Sequence, residues 1–258
     1  MPVMNCNITW MDMLNDILGE GKPVDVRGFK TLELLHHTII IDMSAPIITV
    51  PVRKLNYRFM AAEAEWMING DDKLAPLTKY NKKMANYSDD GITLTGAYGP
   101  KIVAQSEYVV RTLLADQSSR QAVLTIWERT PAPSKDIPCT ILMQFLIRDN
   151  FMDTHVYMRS SDAWLGVPYD IFSFSVVGTW MLAMYNSLSD GEDVLPRNLY
   201  LTAGSRHLYE QHYEDAEYIV RTCDTFPVPA PRKIPPLVHD PYHLSLWLQD
   251  MQEGGCTD

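Results

Sequence analysis

Cysteine is scarce in this chain, with four residues at positions 6, 139, 223 and 256 among 258. The spacings contain no CxxC pair and no zinc-ligand pattern, so four free thiols, no metal and a cytoplasmic location are expected. Positive charge is also short: 22 Lys and Arg stand against 32 Asp and Glu, a net charge of −10. That balance argues against a nucleic-acid coat or a polybasic membrane anchor, and leaves room for an anionic ligand held by a local basic pocket. No uninterrupted apolar run approaches the roughly 20 residues that span a bilayer. The stretch MPVMNCNITW has no basic start followed by an apolar core, so no signal peptide is expected. Repeats and low-complexity segments are absent. What is present is 46% hydrophobic side chains, too many for a disordered chain.

Periodicity supplies the elements. Residues 8–19 place Trp10, Met11, Met13, Leu14, Ile17 and Leu18 on one helical face, capped by Asn7 or Thr9. TIIIDM and PIITVPV within 31–52 are β-rich runs broken by Pro46 and Pro51. Helices are expected at 58–69, ended by Asn69-Gly70, and at 101–115, with a turn-rich stretch at 76–100 between them. Strands follow at Ala122–Trp127, Ile141–Arg148 and Met152–Arg159, the last two joined by an Asp149-Asn150 hairpin turn. Ile171–Leu188 is apolar nearly all round, as a buried central helix is. A strand near 198–202 and a helix over 206–221 come next, then five prolines within 224–236, an ordered connector. Long strands with segregated helices predict one α+β domain.

Chemistry concentrates at 138–170. Cys139 follows Pro138 at the mouth of a strand, where a cysteine is commonly an inert small hydrophobe. A neighbouring cation would lower its pKa, and Arg159 ends the strand that the hairpin pairs with it. Strand register, on which that contact depends, is not readable from the sequence.

The stretch MRSSDAWLGVPYDI (158–171) resembles the signature of the thymidylate synthase superfamily, RS-x-D-x-x-L-G-x-P-x-N. Further blocks stand around it in family order over residues 27–213. Arg27-Gly28 with Thr31-Leu32-Glu33 resembles the phosphate loop, Glu63 to Trp66 the E-x-x-W helix, and Gly96 to Gly99 the x-x-Y-G turn. Ser119-Arg120 matches the interface arginine, Pro138-Cys139 the nucleophile, and GSRHLY (204–209) the ribose motif. Each block is weak alone, and together they are specific.

The resemblance implies a single domain over 1–258, with 226–258 as a C-terminal Pro-rich extension. It would hold a large mixed sheet packed with helices, one sheet face forming a homodimer interface. It implies that Cys139 adds to carbon 6 of a pyrimidine nucleotide, so that carbon 5 can attack the one-carbon unit of 5,10-methylenetetrahydrofolate. Arg27, Arg159 and Ser160 would hold the phosphate, with Arg120 reaching across from a second subunit. Glu63 would manage proton transfer. Asp162, Gly166, Met84 and Tyr87 would face the folate, and His207 and Tyr209 the sugar 3′-hydroxyl. Glu65, beside Glu63, is expected to be a solvated helix glutamate.

Departures from the family pattern sharpen this. The loop from Arg27 to Thr31 is one residue shorter than usual, and Gln121 replaces a second arginine. Asp170 stands where members acting on uracil have asparagine. An amide matches uracil's N3–H donor and O4 acceptor, whereas an ionised carboxylate only accepts. Cytosine offers an N4 donor and a protonatable N3, which suits a carboxyl group. Such an aspartate distinguishes the deoxycytidylate hydroxymethylases. The competing role for Asp170 is a cap on the following helix. Met84 and Tyr87 replace the family's covering tryptophans, which favours water over hydride as the final addend.

The expectation is therefore a dCMP 5-hydroxymethylase. A CMP enzyme of nucleoside-antibiotic biosynthesis, a reductive methylase of dCMP or dUMP, and an idle nucleotide- or RNA-binding relative are the alternatives.

Overall fold

A computed structural model describes residues 5–222, 230–235 and 240–255. Helix α1 (Cys6–Glu20) is capped by Asn5, whose side chain accepts from the Asn7 N–H at 2.9 Å. Asn7 is not the cap. It is fully buried and bonds Thr49 with both ends of its amide.

A two-residue turn follows β1 (Lys22–Val26). Arg27 and Gly28 both take positive φ, 56° and 84°, which closes a tight hairpin onto β2 (Phe29–Asp42). This hairpin explains the shortened loop. The expected strand over PIITVPV is absent: Ile47 makes one isolated bridge, and Pro51–Arg53 is a turn of 3-10 helix. Two prolines that cannot donate to a ladder account for this.

Helix α2 (Tyr57–Ile68) starts under an Asn56 cap, and a short α3 (Ala75–Thr78) lies in the turn-rich stretch. Helix α4 (Gly99–Ala115) leads to β3 (Val123–Thr125). Strands β4 (Thr140–Arg148) and β5 (Phe151–Met158) form the expected hairpin, with Asp149 and Asn150 at φ 53° and 60°. After the short β6 (Ser161–Asp162), α5 (Val167–Leu188) crosses the core to β7 (Leu195–Tyr209). Helix α5 is long and apolar enough for a membrane span by composition, yet 83% of its window is buried inside the domain.

The helix expected over 206–221 begins only at α6 (Tyr213–Thr222); residues 206–209 belong to β7. Helix α7 (Pro241–Glu253) is the last described helix, and residues 224–229 and 236 of the proline-rich connector lie outside the described residues.

Among the described residues the strands make one seven-stranded mixed sheet in the order β1-β2-β7-β5-β4-β3, with β6 beside β7. β7 runs parallel to β5 and β6, and the other pairs are antiparallel. Helices α1, α4 and α5 pack on one face. The inward face of β7 is set by Leu199, Leu201 and Ala203, then by Arg206 and Leu208. The alternation slips by one residue at Gly204-Ser205. Opposite, β2 slips likewise across His36, whose φ is +52°. The slip turns an arginine into the core and sends His207 and Tyr209 the other way.

Helix α5 comes close to β5 at Gly178. A β-carbon built there comes within 2.5 Å of Met43 Cε and of Thr154 Oγ1. Gly178→Ala should therefore overpack the core and cost about 1–3 kcal/mol, lowering the melting temperature by roughly 2–10 °C in a thermal scan.

Candidate active site

A cavity of about 700 Å³ opens where α2 and the N-terminus of α5 meet the ends of β2, β6 and β7. Glu63, Met84, Tyr87, Asp162, Gly166, Asp170 and Tyr209 all stand on its wall. Six of the aromatic rings there (Phe29, Phe59, Tyr80, Tyr87, Tyr169, Tyr209) offer flat apolar surface.

Cys139 lies beside this wall, half-buried, at the entry to β4. The β4–β5 register brings Arg159 to it. The Arg159 N–H donates to the Cys139 carbonyl at 2.8 Å. The Arg159 guanidinium donates to the carbonyls of Pro138 at 2.9 Å and Ile137 at 3.0 Å, and lies over the Trp127 ring. Tyr98 supports the same turn from the other side, its hydroxyl accepting from the N–H groups of Cys139 and Thr140 at 3.3 Å each.

Burial raises the Cys139 thiol above its ordinary pKa. Arg159 opposes this, and Asp170, Asp136 and Asp162 reinforce it. One exposed guanidinium does not outweigh burial and three acids, so the free protein holds Cys139 as a thiol at neutral pH.

Asp170 sits in the first turn of α5, but Gly166 is the cap and carries no side-chain cap bond. Capping therefore does not explain the aspartate. Its carboxyl curls back toward Gly166, and no side-chain hydrogen bond to it is found among the described residues. Burial pushes it up to about 6, Arg206 pulls it down and Asp162 pushes it up. Glu63 faces it from α2 and is pushed up to about 8, mainly by burial and then by the Asp170 charge.

Asp162 has two jobs. Its Oδ1 accepts from the N–H groups of Trp164 and Leu165, both at 2.8 Å, while the residue also lines the cavity. The turn it makes is pinned by Trp10, whose indole N–H donates to the Ala163 carbonyl at 2.8 Å.

His207 is half-buried and meets the Tyr209 ring edge-on, with centroids 5.2 Å apart. Burial lowers its pKa, against the pull of Asp162 and Glu33. Burial raises the Tyr209 hydroxyl above its ordinary pKa; Asp162 adds to this and Arg27 opposes it. Arg27 is exposed at that turn, and Ser160 is half-buried beside Arg159. Arg120 is not at this site. It is exposed ahead of β3, its carbonyl accepting from Gln144.

Three features escaped the sequence reasoning. Arg53 lines the cavity from the 3-10 turn, donating to the Trp164 carbonyl at 2.7 Å and lying over Trp164 and Tyr169. A basic residue just ahead of the E-x-x-W helix was its only signal. Arg206 was hidden by the mistaken helix. Glu65 is not solvated: it is half-buried and accepts from Ser245, Gln249 and Gln252 of α7 at 3.2, 2.6 and 2.5 Å. It thereby ties α7 to the helix that carries Glu63.

A cavity walled by acids and flat rings, with a thiol and a guanidinium near it at the end of one mixed sheet, has the features of an enzyme site for a ring-bearing substrate. A family model described as thymidylate synthase matches residues 8–233, and the chain belongs to that family. Membership supports a folate-dependent one-carbon transfer to a pyrimidine nucleotide, with methylenetetrahydrofolate as the donor. The residues present fit such a donor: flat rings for a pterin, the Asp162 carboxylate for its donors, and the Arg53 cation for an acidic tail.

Glu63 provides a test of the cavity's electrostatics. Its folded pKa, about 8, lies above its ordinary 4.5, so stability present below about pH 4.5 is lost as pH rises through about 8. Glu63→Gln removes that loss. The variant should melt at least about 2 °C above the parent at pH 8.5, with the gap closing toward pH 4.5, while activity falls.

Proposed function

We propose that the protein is a dCMP 5-hydroxymethylase. The observation that carries the proposal is Asp170: an acid on the cavity wall, in the first turn of α5, with its acceptor oxygens uncommitted among the described residues. An ionised carboxylate meets uracil's O4 acceptor with no proton between them. Cytosine's N4 amino group donates to it, and a proton shared with N3 completes the pair. A buried polar mismatch costs roughly 1–3 kcal/mol or more.

In this reaction Cys139 Sγ adds to carbon 6 of the base, and electron density moves to carbon 5. A proton taken up from solvent and shared between Asp170 and cytosine N3 would remove one of the three acidic charges that hold the thiol protonated. Methylenetetrahydrofolate supplies a carbon at the oxidation level of formaldehyde. Glu63, which stays protonated at neutral pH, exchanges a proton there. Carbon 5 would bond the methylene carbon as its bonds to the two folate nitrogens break in turn; carbon 5 gives up its proton, tetrahydrofolate departs, and an exocyclic methylene remains. Water would add to that methylene and expel the Cys139 thiolate from carbon 6. Asn56, Asn81, Lys83 and Gln211 stand on the same wall as Met84 and Tyr87. They are suited to hold that water, which favours hydroxymethyl over methyl.

Arg27, Arg159 and Ser160 would bind the nucleotide phosphate, and His207 and Tyr209 the sugar. Whether the sugar is ribose or deoxyribose is decided by experiment. Arg120 would serve a second subunit. The sheet face without helices carries Leu142, Leu146, Tyr157 and the stacked pair His155–Tyr200, a surface for a homodimer. A cytoplasmic location accords with the wide cysteine spacing.

Purified protein given methylenetetrahydrofolate with dCMP, CMP or dUMP separately should turn over a cytidylate and yield a product heavier by CH2O. A product heavier by CH2, with dihydrofolate appearing in the absorbance, would replace this proposal with reductive methylation. Cys139→Ser should reduce the rate by at least about 1,000-fold, and unchanged turnover would remove the covalent step.

A further inference from the structure

Helix α7 begins at Pro241, beyond the residues 8–233 that the family model matches, so membership of the family does not say what it is for. Leu244, Leu248 and Met251 bury one face of it, and Trp247 meets the Phe172 ring of α5 with centroids 6.1 Å apart. A second stripe, at 245, 249 and 252, is polar and turned to α2. There Glu65 Oε1 accepts from the Ser245 hydroxyl at 3.2 Å and the Gln249 amide at 2.6 Å, and Oε2 accepts from the Gln252 amide at 2.5 Å. No described residue of α7 lines the cavity.

The helices that α7 rests against, α2 and α5, are the two that bring Glu63 and Asp170 to the cavity wall. Its anchor points, Glu65 and Phe172, each lie two residues beyond one of those acids. Residues two apart on a helix point about 200° apart around its axis, so Glu65 can face α7 while Glu63 faces the cavity.

Apolar docking alone sets such a helix loosely. The buried centre of α2 carries Ala61, Ala62 and Ala64, which allow close approach and present little ridge to interlock. Apolar contact is non-directional, whereas hydrogen bonds are not. Three donors spaced four and three residues apart on α7 meet one carboxylate in a single register and rotation. Glu63 depends on that setting, because no hydrogen bond to its own carboxyl is found among the described residues. Where α2 is turned, Glu63 is turned with it.

We propose that Glu65 is a positioning residue for Glu63: gripped by Ser245, Gln249 and Gln252, it fixes the rotation of α2 and so holds the Glu63 carboxyl at the cavity wall. Helix α7 serves the cavity from behind without lining it. The consequence for rate rests on the proton-transfer role proposed for Glu63, and the consequence for placement does not.

The test is Gln249→Ala/Gln252→Ala, which removes two of the three bonds, keeps the buried face of α7 and suits a helix. With dCMP and methylenetetrahydrofolate, kcat should fall at least about tenfold, while the dissociation constant of dCMP, measured by calorimetry, stays within about twofold. The residues assigned to phosphate and sugar lie on the β1–β2 turn, after β5 and on β7, away from α2. Placement is read separately, from thermal scans at pH 8.5 with and without Glu63→Gln. In the parent this change raises the melting temperature, because a dry carboxyl pushed up to about 8 is being forced to ionise. A Glu63 that a turned helix lets out to water carries no such penalty, so the increment should fall to less than about half in the double-alanine background. Groups that titrate elsewhere, Asp170 included, are common to each pair and cancel. Glu65→Gln keeps the shape and an acceptor, and the glutamine amides can turn to meet it, so most of the parental rate should remain.

A purely structural clasp would lower every melting temperature alike. A folded double variant with the parental rate and increment therefore overturns the inference. A slower rate with the parental increment overturns it too, since the clasp would then act through something other than Glu63. Should the double variant not fold, Gln249→Ala alone, at an exposed position, carries the same comparison with smaller changes in the same direction, and no change in either readout overturns the inference. A parent that turns over no pyrimidine nucleotide overturns the proposed function, and the increment still decides the placement of Glu63.

Discussion

The site is organised by one unfavourable condition: Asp170, Glu63 and Asp162 share a cavity wall. Like charges in a low-dielectric pocket cannot all ionise. The outcome here is graded. Asp162 has two backbone N–H groups to stabilise its charge. Asp170 has a helix N-terminus and the Arg206 guanidinium. Glu63 has neither and keeps its proton to about pH 8. Acids in different environments on one wall are suited to different roles, the general way in which a site can offer acid and base groups at one pH.

The same condition restrains the nucleophile. Arg159 lies next to Cys139 but has committed Nε to the Pro138 carbonyl and an Nη2 proton to the Ile137 carbonyl, and it is exposed to solvent. Its charge is therefore screened, while the acids act from the drier side. Burial and the acids win, and the thiol stays protonated in the free protein. On the proposed function, a proton shared between Asp170 and the base would weaken the field opposing the thiolate and so link recognition to activation of Cys139.

Much of this was legible in the sequence. Strong periodicity gave α1, α2, α4 and α5, and Asp149-Asn150 gave the β4–β5 turn, because short-range sterics decide such elements. The site residues on the cavity wall were reachable through motif spacing. What escaped depended on long-range pairing. The contact between Arg159 and Cys139 needed the strand register. Arg206 needed the slip in β7, a property of two paired strands that no local pattern in GSRHLY announces; its alternation was mistaken for helix. Glu65 was taken as solvated because its partners lie on α7, about 180 residues further on. Polar residues inside a fold are the hardest to place by pattern, since their burial is justified only by a partner from elsewhere in the chain.

The acid at position 170 is defined by what surrounds it. Burial and the Asp162 charge push its carboxyl up to about 6 and Arg206 pulls it down, so it can take up or give up a proton close to neutral pH, which an asparagine there could not do. A carboxylate accepts from any donor edge, and a shared proton lets the same group also face an acceptor. The chemistry available at this position is therefore set as much by the burial that α5 and β6 impose as by the choice of acid over amide.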